Sequence, residues 1–240
     1  MSWRQRDSLW ILEPPAPRGV IQFIGGSYLA ATPQLSYRRL LETLERRGMA
    51  IQAWSYVPGF DHQAQANEAW KLFRSVRGDG LPVLRLGHSL GCKLHLLAPD
   101  NGRGCDGLVA LSFNNFSAER SVPLLAELGP RLGIRSEFSP SPRETLRLVA
   151  VNYRQPCNLL MRFNRDGIDQ SPRLLAVLQE RPGDQSKLLE QPGDHLTPAS
   201  AGLRQNLLGG WADDPARQRQ IDAIADTICS WWMTSTSQPV

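Results

Sequence analysis

Short runs of apolar residues alternate along the chain with longer stretches in which apolar positions recur every three or four residues. The runs predict buried strands, and the recurring positions predict amphipathic helices. The predicted strands are residues 18–24, 50–54, 82–86, 108–113, 157–163 and 187–190. The predicted helices are residues 37–48, 63–76, 92–98, 172–180 and 217–232. This alternation is typical of an α/β fold, in which helices cover both faces of a mainly parallel, twisted sheet.

Residues 116–151 interrupt this alternation between two predicted strands. The apolar residues of the segment stand between prolines and are Leu124, Leu125, Leu128, Leu132 and Ile134. The segment predicts a small helical cap, inserted into a single domain that spans residues 1–240. Apolar side chains in a cap favour an acyl or lipid-like substrate, and the packing of the cap on its own body explains them equally well.

Composition and charge exclude several classes of protein. Hydrophobic residues make up 41% and charged residues 21% of the 240 residues, which is ordinary for a globular domain. Arginines are scattered along the chain, whose net charge is +4, and no basic block interleaves with aromatic residues, so we expect no nucleic-acid partner. No window of 18 apolar residues exists, and Glu13-Pro14-Pro15 interrupts the N-terminus before a signal peptide could form. The expected location is therefore the cytoplasm.

The four cysteines fit that location. Cys92, Cys105, Cys157 and Cys229 show no C-x-x-C spacing, which predicts buried thiols in a reducing compartment rather than a metal site or a disulfide framework. Cys92 directly follows the strongest motif of the chain, and a packing role is favoured for it.

That motif is the pattern G-x-S-x-G, present as Gly87-His88-Ser89-Leu90-Gly91 between a predicted strand and a predicted helix. A strand-to-helix turn of this kind holds a serine hydroxyl clear of the backbone, where it can meet a base and attack a carbonyl. Glycines at both ends leave room where side chains would collide in the strained turn. Ser89 is therefore the candidate nucleophile.

Attack by a serine creates a negative charge that backbone amides must stabilise. Leu90 stands at the start of the predicted helix, where its amide points at that charge. Gly25-Gly26-Ser27 leaves the first predicted strand and brings further amides toward Ser89. Gly26 and Leu90 are the predicted donors of an oxyanion hole, with an ordinary glycine turn as the alternative for Gly26.

A serine nucleophile needs a histidine from a later loop at the same sheet edge. His195 follows the predicted strand 187–190 and lies in the loop 193–198, so it is the candidate base. The other histidines are His62 among polar residues before the turn, His88 beside Ser89, and His95 in the following helix.

An acid should stand between Ser89 and His195 in the chain. The loop after the predicted strand 157–163 offers Asp166 and Asp169, and Asp166 is favoured because it follows the strand more closely. The other aspartate then forms the turn through its side chain. We do not expect Asp194 to orient His195, since the side chains of neighbouring residues in an extended loop diverge.

These features resemble the α/β-hydrolase superfamily over residues 10–235, in the order of strands, the elbow at Ser89 and the loop at His195. More narrowly, residues 163–169 and 193–198 are similar to an uncharacterised α/β-hydrolase-like family of cyanobacteria and plastids. One departure is Ile24, which stands where many superfamily members have histidine before the glycines. The resemblance implies a serine hydrolase that forms an acyl-enzyme and needs no metal or organic cofactor.

The expected partner is a small-molecule substrate, an ester or thioester with an acyl or lipid-like part. Transfer of the acyl group to an acceptor other than water is one rival function, and a non-enzymatic binding or scaffold protein that retains the fold is another. Trp231-Trp232-Met233 predicts either a peripheral contact with a membrane or partner, or the core-facing end of a helix.

Overall fold

The structure, a computed structural model, describes residues 2–76, 80–118, 137–199 and 215–236. In this part of the chain eight strands form one sheet with the order β1-β2-β4-β3-β5-β6-β7-β8. The strands are β1 (Arg4–Arg6), β2 (Leu9–Leu12), β3 (Gly19–Ile24), β4 (Met49–Trp54), β5 (Val83–His88), β6 (Gly107–Leu111), β7 (Asn158–Phe163) and β8 (Lys187–Gln191). From β4 to β8 all neighbours run parallel, whereas β1 and β2 add an antiparallel edge.

Helices cover both faces of the sheet, as the alternating pattern predicts. The α-helices are α1 (Pro33–Ser36), α2 (Arg38–Arg46), α3 (His62–Ser75), α4 (Leu90–Leu96), α5 (Pro142–Asn152), α6 (Ser171–Gln179) and α7 (Pro215–Thr236), and a 3-10 helix spans Ser27–Leu29. On one face α2 and α7 pack against alternate strand positions such as Phe23 and Leu86. On the other face α3 to α6 pack against the intervening positions, such as Ile24 and Leu108. The predicted α/β-hydrolase architecture is confirmed.

The sheet brings the candidate chemistry to one edge. β5 lies between β3 and β6 and runs parallel to both, so the residues that follow these strands emerge side by side. The loops that follow β7 and β8 leave the sheet at the same edge because these strands are parallel too. Ser89, Asp166 and His195 each lie just beyond a strand end.

The predicted cap at residues 116–151 is too long at its C-terminal end. Residues 142–152 form α5, whose buried Leu146 and Val149 join the cluster under β6 and β7 and so belong to the body of the domain. The five apolar residues on which the cap prediction rests lie outside the described residues.

The C-terminal tryptophans are buried. Trp231 is 9% and Trp232 is 5% exposed, and both pack in the core cluster between α7 and the sheet. Their burial favours the core-facing helix end, and the peripheral contact with a membrane or partner stays a prediction. Within the described residues no helix has the length and hydropathy to cross a bilayer.

The cysteines follow the prediction in three of four cases. Cys92, Cys105 and Cys229 are buried thiols, and Cys157 is partly exposed. Cys92 is fully enclosed, where burial raises the pKa of its thiol well above the ordinary value. Its position in the core cluster fits the packing role.

Candidate active site

Ser89 occupies a strained turn between β5 and α4. Its φ of +55° and ψ of −117° lie in a region that residues other than glycine rarely adopt. A Cβ on Gly87 would stand 2.6 Å from the amide nitrogen of Cys92, and one on Gly91 would stand 2.0 Å from the carbonyl oxygen of Ile24. Only glycine fits at these two positions, and the close packing holds the Ser89 side chain toward a cavity.

His195 and Asp166 complete a chain of contacts that begins at Ser89. The Oγ atom of Ser89 is 3.0 Å from Nε2 of His195, and Nδ1 of His195 is 2.8 Å from Oδ2 of Asp166. The Asp166 side chain is fully buried, and its Oδ1 accepts a hydrogen bond from the amide of Ile168. Burial alone would raise the pKa of Asp166, but the hydrogen bond from His195 helps to hold it below its ordinary value. Asp166 is therefore a carboxylate when it faces the imidazole.

Asp169 has a different task. Its carboxylate accepts hydrogen bonds from the amide of Ser171 at 3.2 Å and from the Ser171 hydroxyl at 2.6 Å, at the start of α6. Burial raises the pKa of Asp169. Asp194 also points away from the imidazole, since it accepts from the amide of Leu196 and the hydroxyl of Thr197. The structure brings Asp166, and neither of the other two aspartates, to His195.

The structure corrects one of the two predicted oxyanion donors. The amide of Gly26 donates to the hydroxyl oxygen of Tyr37 at 2.8 Å, so its single hydrogen is already used. The sequence gives no sign of this bond, because Tyr37 is 11 residues away at the start of a helix. Leu90 is the first residue of α4, and its amide has no acceptor within that helix. The Leu90 amide therefore stays available next to Ser89.

A buried chain of hydrogen bonds connects the Gly26 turn to the His195 loop. The Nε2 atom of His88 is 2.8 Å from the carbonyl oxygen of His195, which can only accept, so Nε2 carries the hydrogen. The Nδ1 atom of His88 then accepts from the Tyr37 hydroxyl at 2.8 Å. Burial and the nearby His195 lower the pKa of His88 to about 3, so the ring is neutral as this pattern requires. Tyr37 and His88 thus position two loops on either side of Ser89.

We expect Tyr37→Phe to lower the free energy of unfolding by about 2 kcal/mol, because it leaves the Gly26 amide and Nδ1 of His88 buried without partners. Urea denaturation followed by circular dichroism measures this. Tyr56→Phe is the matched control, since the Tyr56 hydroxyl is equally buried and donates only to the carbonyl of Gly25. If Tyr37→Phe lost no more free energy of unfolding than Tyr56→Phe, the proposed role of the hydrogen bonds through Tyr37 would be contradicted.

A cavity of about 700 Å³ lies above Ser89 and His195. Its walls are largely apolar and include Phe116 and Phe138. Two further wall residues, His62 and Lys93, are polar and buried. Ser89 therefore faces a mainly apolar cavity that is large enough for a small ligand.

A profile of the family described as "Protein of unknown function (DUF1350)" matches residues 2–213. The chain belongs to the DUF1350 family. A search of curated proteins found no match for this DUF1350 protein. Its expected tie to cyanobacteria and plastids stays a prediction.

Solved structures similar to this DUF1350 protein are α/β-hydrolases. A monoacylglycerol lipase from Paleococcus ferrophilus is 17% identical, with 98% of this chain aligned to 100% of the lipase at a TM-score of 0.61. Alpha/beta hydrolase domain-containing protein 10 from mouse is 14% identical, with coverage of 95% and 98% and a TM-score of 0.58. A thermophilic esterase from Thermogutta terrifontis is 15% identical, with coverage of 95% and 94% and a TM-score of 0.56. At such identities the similarity establishes the fold alone.

Three residues of this candidate site are not predicted from the sequence: Tyr37, His62 and Lys93. The spacing of Lys93, four residues after Ser89, could have placed it on the same face of α4. His62 opens α3 and lines the cavity, but the polar residues around it in the sequence do not indicate this position. Nothing in the sequence around Tyr37 indicates more than the start of a helix.

Proposed function

We propose that this protein is a serine hydrolase that cleaves an ester or thioester through an acyl-enzyme on Ser89. The observation that carries the proposal is the unbroken contact from Ser89 through His195 to Asp166 at the base of an apolar cavity. Each contact has the length of a hydrogen bond and joins the atoms that proton transfer requires.

In the proposed reaction His195 takes the hydroxyl proton through Nε2 while Oγ of Ser89 attacks the acyl carbonyl carbon. The carbonyl π bond breaks, and the electron pair moves to oxygen. The oxyanion then expels the alcohol or thiol, which receives the proton from His195. Water then attacks the acyl carbon while His195 takes its proton, and a second oxyanion forms. This oxyanion expels Oγ of Ser89, which receives the proton from His195, and the acid is released. Asp166 stabilises the imidazolium in each step.

We assign the oxyanion to the amide of Leu90 and to a second amide from the turn after β3. Since the Gly26 amide is bonded to Tyr37, the next amide along, that of Ser27, is our candidate for the second donor. Ser27 lines the cavity and opens the 3-10 helix, so its amide precedes any acceptor within that helix.

The rim of the cavity supports an acyl substrate. Four large apolar side chains that line it are exposed, namely Val57, Phe60, Ile168 and Leu196. Apolar side chains clustered at the mouth of a cavity favour a ligand with an apolar part. The reduced thiols of Cys92, Cys105 and Cys229 fit the cytoplasm as the compartment.

We expect a fluorophosphonate probe to label the purified wild-type protein and to fail with Ser89→Ala and His195→Ala, because only an activated serine attacks phosphorus. Gel fluorescence and the mass of the labelled peptide measure the result. Ser75→Ala, which replaces an exposed serine at the end of α3, is the control and should label normally.

Absence of labelling in folded wild-type protein would favour a scaffold protein that retains the fold. If labelling succeeds, product analysis with added alcohols or thiols separates hydrolysis from acyl transfer. A hydrolase gives mainly free acid, whereas a transferase gives mainly the new ester or thioester.

A further inference from the structure

Two buried polar side chains in the cavity wall have no part in the proposed reaction. Lys93 is 1% exposed and His62 is 2% exposed, and both line the cavity that contains Ser89. Lys93 follows Ser89 by four residues, so it lies one helical turn farther along the same face of α4. The Phe138 ring joins the two, since its centroid is 5.7 Å from Nζ of Lys93 and 4.2 Å from the centre of the His62 ring.

The Lys93 ammonium is incompletely satisfied. Its Nζ donates to the carbonyl oxygen of Pro140 at 3.0 Å, and the described residues offer no second acceptor and no ion pair for its other hydrogens. Glu137 is the acid whose charge acts on it, but Oε1 of Glu137 accepts from the amides of Ala118 and Phe138. Burial lowers the pKa of Lys93 to about 8. At neutral pH a mostly charged ammonium therefore stands in the apolar wall.

His62 has neither of its ring nitrogens hydrogen-bonded within the described part of the chain. Burial and the charge of Lys93 lower its pKa to about 3, against the opposite effect of Asp61. The ring is therefore neutral and offers one N–H donor and one acceptor. Burying a polar group without a hydrogen-bond partner costs free energy. The presence of Lys93 and His62 in the cavity wall therefore predicts a ligand that bonds to them.

We infer that the substrate carries an anionic group, a carboxylate, which Lys93 and His62 bind inside the cavity. This rests on the proposed function, since Ser89 fixes where the ester is cleaved. An anion satisfies the free hydrogens of the ammonium and accepts the His62 N–H, and its charge offsets the buried positive charge, which a hydroxyl would not do. Since Lys93 lies one helical turn beyond Ser89, the anion and the ester belong to one small substrate. The half-ester of a short dicarboxylic acid, glutarate, is the probe that we choose.

The test compares kcat/KM for mono-p-nitrophenyl glutarate and for its methyl ester, which has the same chain but no charge. We expect wild-type protein to prefer the charged ester by about tenfold or more. In Lys93→Met and in His62→Phe the ratio of the two values should fall toward one. Lys93→Gln, which keeps a donor near Pro140, guards against a variant that does not fold. Lys71→Met removes an exposed lysine of α3 and should leave the ratio unchanged.

A second pair of probes asks on which side of the ester the anion lies. The butyrate ester of 4-hydroxybenzoate carries the charge on the leaving alcohol, and the butyrate ester of methyl 4-hydroxybenzoate is its neutral partner. A Lys93-dependent preference in either pair supports the anion site and assigns its side. Equal use of charged and neutral esters in both pairs overturns it, as does a ratio that survives in Lys93→Met and Lys93→Gln.

Measurements of glutarate binding test the anion site independently of the proposed reaction. Calorimetry should show glutarate binding to Ser89→Ala, with a loss of about tenfold or more in affinity when Lys93→Met is added. Fluorophosphonate labelling with no glutarate binding and no charge preference would overturn the anion site and leave the hydrolase standing. Glutarate binding without labelling of wild-type protein would do the reverse.

Discussion

Replacement of Asp166 by Asn is expected to lower kcat by about 10⁴-fold for any ester that the protein cleaves. The amide keeps the size of the carboxylate but can donate to Nδ1 of His195, which favours the wrong tautomer and gives no charge to stabilise the imidazolium. KM should change little, because Asp166 does not line the cavity. Steady-state kinetics measure the loss, and circular dichroism checks that the variant is folded.

Asp169→Asn is the matched control, since the same substitution is made three residues away in the same loop. Its carboxylate bonds only to Ser171 among the hydrogen bonds of the described residues, so we expect kcat within about tenfold of wild type. A large loss in Asp169→Asn together with an active Asp166→Asn would reverse the assignment of the acid.

Asp100→Ala should lower the free energy of unfolding by about 3–5 kcal/mol. Arg85 lies in the middle of β5 and is 4% exposed, and its guanidinium bonds both oxygens of Asp100 at 3.0 and 2.6 Å. Loss of the carboxylate leaves a buried positive charge without its counter-ion. Urea denaturation measures the change.

Two comparisons isolate this ion pair. Glu13→Ala breaks the exposed pair with Arg4 and should cost less than about 1 kcal/mol. The double variant Arg85→Leu with Asp100→Ala should lose less than the two single losses added together, because no unpaired charge remains. Strictly additive losses would contradict the coupling.

The same pair sets a dependence on pH. Burial alone would raise the pKa of Asp100, but the hydrogen bonds and charge of Arg85 lower it below the ordinary 3.8. Because the folded pKa is the lower one, the stabilisation is complete above that ordinary value and is lost as pH falls through the folded pKa. Asp100→Ala should therefore differ most from wild type near neutral pH.

The central fold could be predicted from the sequence because its strands are apolar on both faces and its helices are amphipathic. The predicted strand 157–163 and helix 63–76 differ from β7 and α3 by one residue at most at each end. The strand β1 was missed because its three residues are all exposed and carry no apolar pattern. The predicted helix 37–48 was only partly right, since helix begins at Pro33 and Tyr37 separates α1 from α2.

The candidate site could be predicted as far as chain order and strand ends determine it. Ser89 has a local motif, and His195 is the one histidine that follows a later strand. Contacts between distant segments leave no such trace in the sequence. The bond from the Gly26 amide to Tyr37, and the meeting of His62 with Lys93 at Phe138, depend on how the helices pack against the sheet edge.

Gly87 and Gly91, on either side of Ser89, are required by the fold whether or not the protein is an enzyme. A side chain at Gly91 would collide with the backbone at the end of β3, and a side chain at Gly87 would collide with the backbone of Cys92 in α4. Both glycines are therefore required by the close approach of α4 to the two strands. A descendant that lost its hydroxyl would still need both glycines in order to fold. In the G-x-S-x-G pattern the two glycines are therefore required by backbone packing, and only the serine indicates a reaction.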